Sequence, residues 1–85
     1  MKKGTSNFDI LKVIGINSVF LRKKHRITQK QLADILDINV KSLSSIEHGI
    51  LPPRLEPIIL HKISFFFDIS FSTLSHSLIE KSKNM

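Results

Sequence analysis

The sequence predicts an all-α fold, a compact bundle of five helices containing a helix-turn-helix. Three observations point there. Apolar residues recur at spacings of three and four, and long alternating Val/Thr/Tyr runs are absent. Gly and Pro are rare, at three each. Thr, Asn and Ser stand just before three of the apolar runs, where their side chains can cap a helix.

The elements follow in order. The first helix is expected from about Asn7 to Lys24, with Phe8, Leu11, Ile14 and Leu21 on one stripe and Ser18 in its path. Lys23, Lys24 and Arg26 cluster at its end, where cations suit the helix dipole. A second helix starts sharply at Thr28, since Gln31 lies three residues on and completes a capping box. Leu32, Ala33 and Leu36 form its buried face, and Asp37 stands where the chain must turn. Asn39 is a good N-cap for a third helix, with Leu43 and Ile46 facing inward and Gly49 ending it. Residues 50–54 connect to a fourth helix whose first turn holds Pro57, where a missing N–H costs nothing. That helix reads Ile59, Ile63 and Phe66/Phe67, with Asp68 at its end. Ser70 caps a fifth helix with Phe71, Leu74, Leu78 and Ile79 on one face. The C-terminal helices, over residues 56–81, are expected to complete the core and to offer a dimerisation surface.

The chain has 85 residues, room for one small domain over 1–85. Thirteen Lys/Arg against seven Asp/Glu give a formal charge of +6. Residues 1–54 hold ten of the basic residues and four of the acids, whereas residues 55–85 hold three of each and are neutral. A one-sided basic balance suggests a polyanionic partner, with nucleic acid ahead of a membrane surface. With no cysteine there is no disulfide scaffold, thiolate zinc site or thiol nucleophile. The longest uncharged stretches, Val13–Leu21 and Ile69–Ile79, fall well short of the ~20 residues a membrane span needs. Asp9 and Lys12 interrupt any secretory-signal core. His25, His48, His61 and His76 show no i, i+4 pair and no accompanying ligand set, so no metal site and no cofactor are expected. The serines of the C-terminal region have no His/Asp grouping to suggest a nucleophile, and no enzymatic activity is expected.

Residues 28–49, TQKQLADILDINVKSLSSIEHG, carry the function. Two short helices joined by a tight turn, with Ala33 at their crossing, make a helix-turn-helix pattern. Such a unit holds its second helix proud of the surface, able to enter the ~12 Å major groove.

Here the chain resembles the phage-repressor and Cro type of helix-turn-helix domain, the Xre family with its lambda-repressor-like fold. The resemblance runs from about Ile14 to Leu74. It is carried by Leu21-Arg22, Ile27-Thr28-Gln29, Leu32-Ala33, Leu36, Ile38, Ile46-Glu47, Gly49, Pro53 and Asp68-Ile69-Ser70. It implies that Thr28 and Gln29 open the second helix against a phosphate. It also implies that Asn39, Val40, Lys41, Ser44 and Ser45 face the groove, with His48 near the DNA backbone. Lys41 can donate to guanine or phosphate, Val40 can meet a thymine methyl, and the short serines can approach either. Lys23 and Lys24 are placed for phosphate contact. Arg22 and Glu47 match a pair that forms an internal salt bridge in family members, as a guanidinium fork gripping a carboxylate would.

The chain departs from the family pattern in four places. Arg26 and Asp37 stand where glycines are common, and the connector after Gly49 is about two residues longer than usual. Ile16, Val19 and Phe20 form a second apolar stripe on the first helix, where the family is usually polar. Either residues 1–12 or the C-terminal helix fold back over that stripe, or it is a protein–protein surface.

The expected function is sequence-specific binding of double-stranded DNA by a transcriptional regulator, a repressor, in the cytoplasm of a prokaryote, its phage or a mobile element, bound there to the nucleoid. A homodimer on a two-fold site is the expected assembly. Phe71, Leu74, Leu78, Ile79 and a leftover Phe65 are the first pairing candidates, and Ile16, Val19 and Phe20 the second. The alternative is a protein-interaction module, such as the antitoxin half of a toxin–antitoxin pair or an anti-repressor, with a protein partner. A membrane partner is not expected.

Overall fold

A computed structural model describes residues 5–79, with side chains from Ile10 onward. Those residues form five helices: α1 (Thr5–Lys24), α2 (Gln29–Leu36), α3 (Val40–Glu47), α4 (Ile58–Phe66) and α5 (Phe71–His76). There is no strand among them. The side chain of Phe8 and the tail beyond residue 79 lie outside the described residues.

Local chemistry sets most boundaries. Thr28 Oγ1 accepts from the Gln31 N–H at 3.0 Å, and Gln31 Oε1 accepts from the Thr28 N–H at 2.8 Å. This reciprocal box starts α2. Asn39 Oδ1 and Ser70 Oγ cap α3 and α5 through the N–H groups of Ser42 and Thr73. Pro57 stands just outside α4, in αR geometry and without a side-chain cap.

Three helices end through non-glycine residues in the left-handed region: Arg26 (φ 58°), Asp37 (φ 61°) and Asp68 (φ 57°). Two of these, Arg26 and Asp37, are the positions where glycine was the family norm. The backbone keeps the turn a glycine would make, at a cost of about 1 kcal/mol each. At Gly49 the left-handed turn (φ 84°) coincides with crowding, because an added Cβ would stand 3.2 Å from Lys12 Cα.

The core is one cluster with members from every helix, including Ile14, Leu21, Leu32, Leu36, Leu43, Ile46, Ile59, Ile63, Phe67 and Leu74. α1 packs against both α3 and α5. Gly15 permits the first of these contacts. A Cβ there would stand only 2.6 Å from the Ile46 carbonyl oxygen and 2.8 Å from that of Glu47. The C-terminal end of α3 therefore rests directly on the backbone of α1.

Asn17, buried beside Ser18, makes the other contact. Its Nδ2 donates to the carbonyls of Leu74 (2.7 Å) and Ser77 (2.6 Å), and its Oδ1 accepts from the Ile79 N–H (2.9 Å). One side chain of α1 thus satisfies the backbone just where α5 stops. The fifth helix closes at His76, before the Leu78 and Ile79 expected on its face.

That docking removes Leu74 from the expected pairing face. Leu74 is fully buried within the molecule and belongs to its core. Phe71 is half-buried and stacks on His61 with ring centroids 4.0 Å apart. Leu78 and Ile79 are half-buried, and Ile79 packs on the core. Of the three consecutive phenylalanines, Phe67 is buried, Phe66 is partly open and Phe65 is 87% exposed.

Candidate nucleic-acid interface

The helix-turn-helix is α2, the turn through residues 37–39, and α3. Leu32, Ala33 and Leu36 from one helix and Leu43 and Ile46 from the other are buried between them and α1. What remains outward on α3 is Val40, Lys41, Ser44 and Ser45. Val40 and Lys41 are exposed, and the two serines are half-buried. Asn39 is exposed, but its carbonyl oxygen is committed to the cap, so only its amide N–H groups can reach out. Lys23 and Lys24 lie exposed at the end of α1, and Thr28 is exposed at the start of α2.

A single carboxylate ties these pieces together. Glu47 Oε2 accepts from Arg22 Nε at 2.7 Å, and Oε1 accepts from Arg22 Nη2 at 3.3 Å. Gln29 Nε2 also donates to Oε1, at 2.7 Å. The third guanidinium nitrogen, Nη1, reaches the Ile27 carbonyl at 3.1 Å. The side chains of Arg22 and Glu47 are only 12% and 4% exposed. A charge pair this sheltered is held by bidentate geometry and extra hydrogen bonds, which offset the cost of leaving water. By contrast, the pair Lys30–Asp34 spans 3.5 Å with both side chains mostly in solvent. The Glu47 knot joins α1, the first residue of α2 and the last of α3. It ties the C-terminal end of α3 to both of the other helices.

Two residues take roles that sequence reasoning missed. The resemblance implies a phosphate contact for Gln29, yet one of its amide N–H groups is spent on Glu47. Gly15, the seat of α3, was not singled out. A glycine inside a helix costs about 1 kcal/mol relative to alanine, so its presence there was a readable sign of close approach. His48 also gains definition. Its Nδ1 lies 2.7 Å from the Ser44 carbonyl, which can only accept, so Nδ1 carries the hydrogen.

On α1, Ile16 is 44% exposed while Val19 and Phe20 are half-buried. With Lys23 and Glu47 they line an open groove of about 410 Å³. No helix of the described residues is long and apolar enough to cross a membrane. Nor do the described residues bring three His, Asp or Glu side chains together as a metal cluster.

This arrangement defines the molecule as a helix-turn-helix DNA-binding domain. A family model for the helix-turn-helix of Xre/Cro type matches residues 20–74, and the chain belongs to that family. Searches of curated proteins and of solved structures returned no match to it. The family makes the protein a DNA-binding regulator in general terms.

Proposed function

We propose that the protein is a transcriptional repressor that lays α3 in the major groove of a two-fold DNA site as a homodimer. The observation that carries this reading is the Glu47 knot. It is a sheltered brace of four hydrogen bonds that ties the end of α3 to α1 and to the start of α2. Lys41 and Val40 at the exposed start of α3 read base edges, with Ser44 and Ser45 approaching closely. Lys23, Lys24 and the start of α2 at Thr28 and Gln29 hold phosphates, the helix N-terminus favouring an anion. His48, exposed at the end of α3, lies near the DNA backbone. Arg22 and Glu47 position α3 rather than touch DNA. Repression needs nothing more than occupancy that blocks polymerase, and it would take place on the chromosome in the cytoplasm.

Selection of bound sites from random duplex DNA tests the reading. An enriched motif with two-fold symmetry is the expected result, with affinity falling steeply as salt rises. Lys41→Ala should relax the preference at one position, whereas Lys23→Ala should weaken binding to all sequences and flatten the salt slope by about one. Absence of any enriched motif would favour a second reading, a protein-interaction module such as an antitoxin or anti-repressor. The half-open groove at Ile16 is the observation in its favour.

A further inference from the structure

Helix α4 is apolar on both sides. Its inner face buries Ile59, Leu60 and Ile63. Its outer face, at i, i+4 and i+7, reads Ile58, Lys62 and Phe65, with Phe66 beside them. Ile58 is 53% exposed and Phe65 is 87% exposed. A helix that carries large apolar side chains on its outer face as well as its inner one is normally covered on both. Across from this face, at the end of α2, Ile35 is 50% exposed. Ile35, Asp37, Lys62, Phe65 and Phe66 together line a groove of about 440 Å³.

We propose that this α2–α4 groove is where a second copy of the chain docks, across a two-fold axis that sets Asp37 of each copy against Lys62 of the other. Charge selects the occupant. The chain carries +6, and its excess lies at residues 1–54, around the end of α1 and the helix-turn-helix. Two copies repel each other across most of that surface. In the groove one acid and one base stand beside the apolar side chains, so the local charge cancels. A patch holding one of each sign is self-complementary under a two-fold axis, where residue i meets j and j meets i. Its single cation, Lys62, is balanced by Asp37, so the groove holds no excess positive charge for a polyanion. The exposed apolar area of Ile35, Ile58, Phe65 and Phe66 is on the order of 400 Å², against the ~800 Å² per partner of a standard interface. The pairing is therefore weak and reversible in free solution. This inference rests on the dimeric reading above for its purpose and moves the pairing surface from α5 to α2–α4.

The test is sedimentation equilibrium of the full chain without DNA, from about 10 µM to about 1 mM, a range suited to a weak interface. The wild type should pass reversibly from monomer to dimer. Phe65→Asp should raise the dissociation constant at least ~30-fold, as loss of a central aromatic anchor does. Its circular dichroism and melting should stay unchanged, because the ring packs on almost nothing within one copy. Asp37→Lys and Lys62→Asp should each be monomeric alone. Mixed in equal amounts they should form a heterodimer, since both cross-pairs become attractive again. Arg26 already holds a long cation at φ 58°, so the lysine at position 37 is tolerated by the backbone. Three results would overturn the proposal: a wild type that stays monomeric throughout, a dimer that survives Phe65→Asp, or charge variants that fail to pair when mixed. If Phe65→Asp instead abolished capture of an unrelated protein while the wild type stayed monomeric, the groove would be assigned to that partner and not to a second copy. Because no DNA is present, such failure leaves the α3 reading standing, and a failed site selection leaves this one standing.

Discussion

The helix-turn-helix and helix α4 are built from helices of nearly the same length, eight residues in α2 and α3 and nine in α4, packed on one core. Their outer faces differ in balance. On α2 and α3, side-chain caps and the Glu47 knot consume the polar groups near the backbone. Serines, an asparagine and lysines are left to meet a partner through hydrogen bonds and charge. On α4 no side chain caps the start, and the outer face offers isoleucine and phenylalanine. The difference teaches where precision is needed. A surface that reads base edges has to be held at one angle, and a buried brace does this. A surface that pairs through apolar contact needs area and local charge balance, and tolerates a plainer scaffold.

The contrast can be broken at its strongest point first. Glu47→Ala would leave the Arg22 guanidinium buried without a counter-charge and release Gln29. Urea unfolding should show a loss of about 3 kcal/mol or more. DNA binding at a temperature where the variant remains folded should also fall, because α3 loses its tie to α1 and α2. A loss under 1 kcal/mol would mean the knot is ornamental.

Asn17→Ala comes next. It strands two carbonyls and one N–H at the end of α5, and about 2 kcal/mol should disappear from the same unfolding curve. Operator affinity of the folded fraction should hold steady, which separates a scaffold bond from a presenting one.

Thr28→Ala removes one capping bond at the start of α2. About 1 kcal/mol is expected, read as a drop of a few degrees in Tm. Asp34→Ala sits at the bottom of the scale. Its partner Lys30 is exposed, and calorimetry should register less than about 0.5 kcal/mol. A larger loss there than at Glu47 would invert the comparison.

Sequence legibility tracked the reach of each interaction. Thr28, Asn39 and Ser70 each cap an N–H three residues away, so the starts of α2, α3 and α5 could be read from neighbouring letters. Left-handed backbone at Arg26 and Asp37 was foreshadowed because a family norm of glycine marked both positions. The two ends of the α1–α5 contact could not be read in this way. Asn17 and its partners are separated by about sixty residues, and nothing near Asn17 announces a helix terminus. For the same reason Leu74 looked like a candidate for pairing, since its periodicity shows a buried side but not what buries it. The order of exposure among Phe65, Phe66 and Phe67 depended on the rotation of α4 against α2, which three identical residues in a row do not encode.

The clasp at Asn17 also has a consequence in time. Contacts within α2 and α3 span a few residues and can form early, while chain is still being added. The bonds from Asn17 to Leu74, Ser77 and Ile79 close a loop of nearly the whole described chain, the slowest kind of closure. During synthesis α1 must wait, with Ser18 and its polar neighbour unsheltered, until α5 arrives. The clasp is therefore the last contact to close, made after the Arg22–Glu47 pair can already have seated α3 on α1.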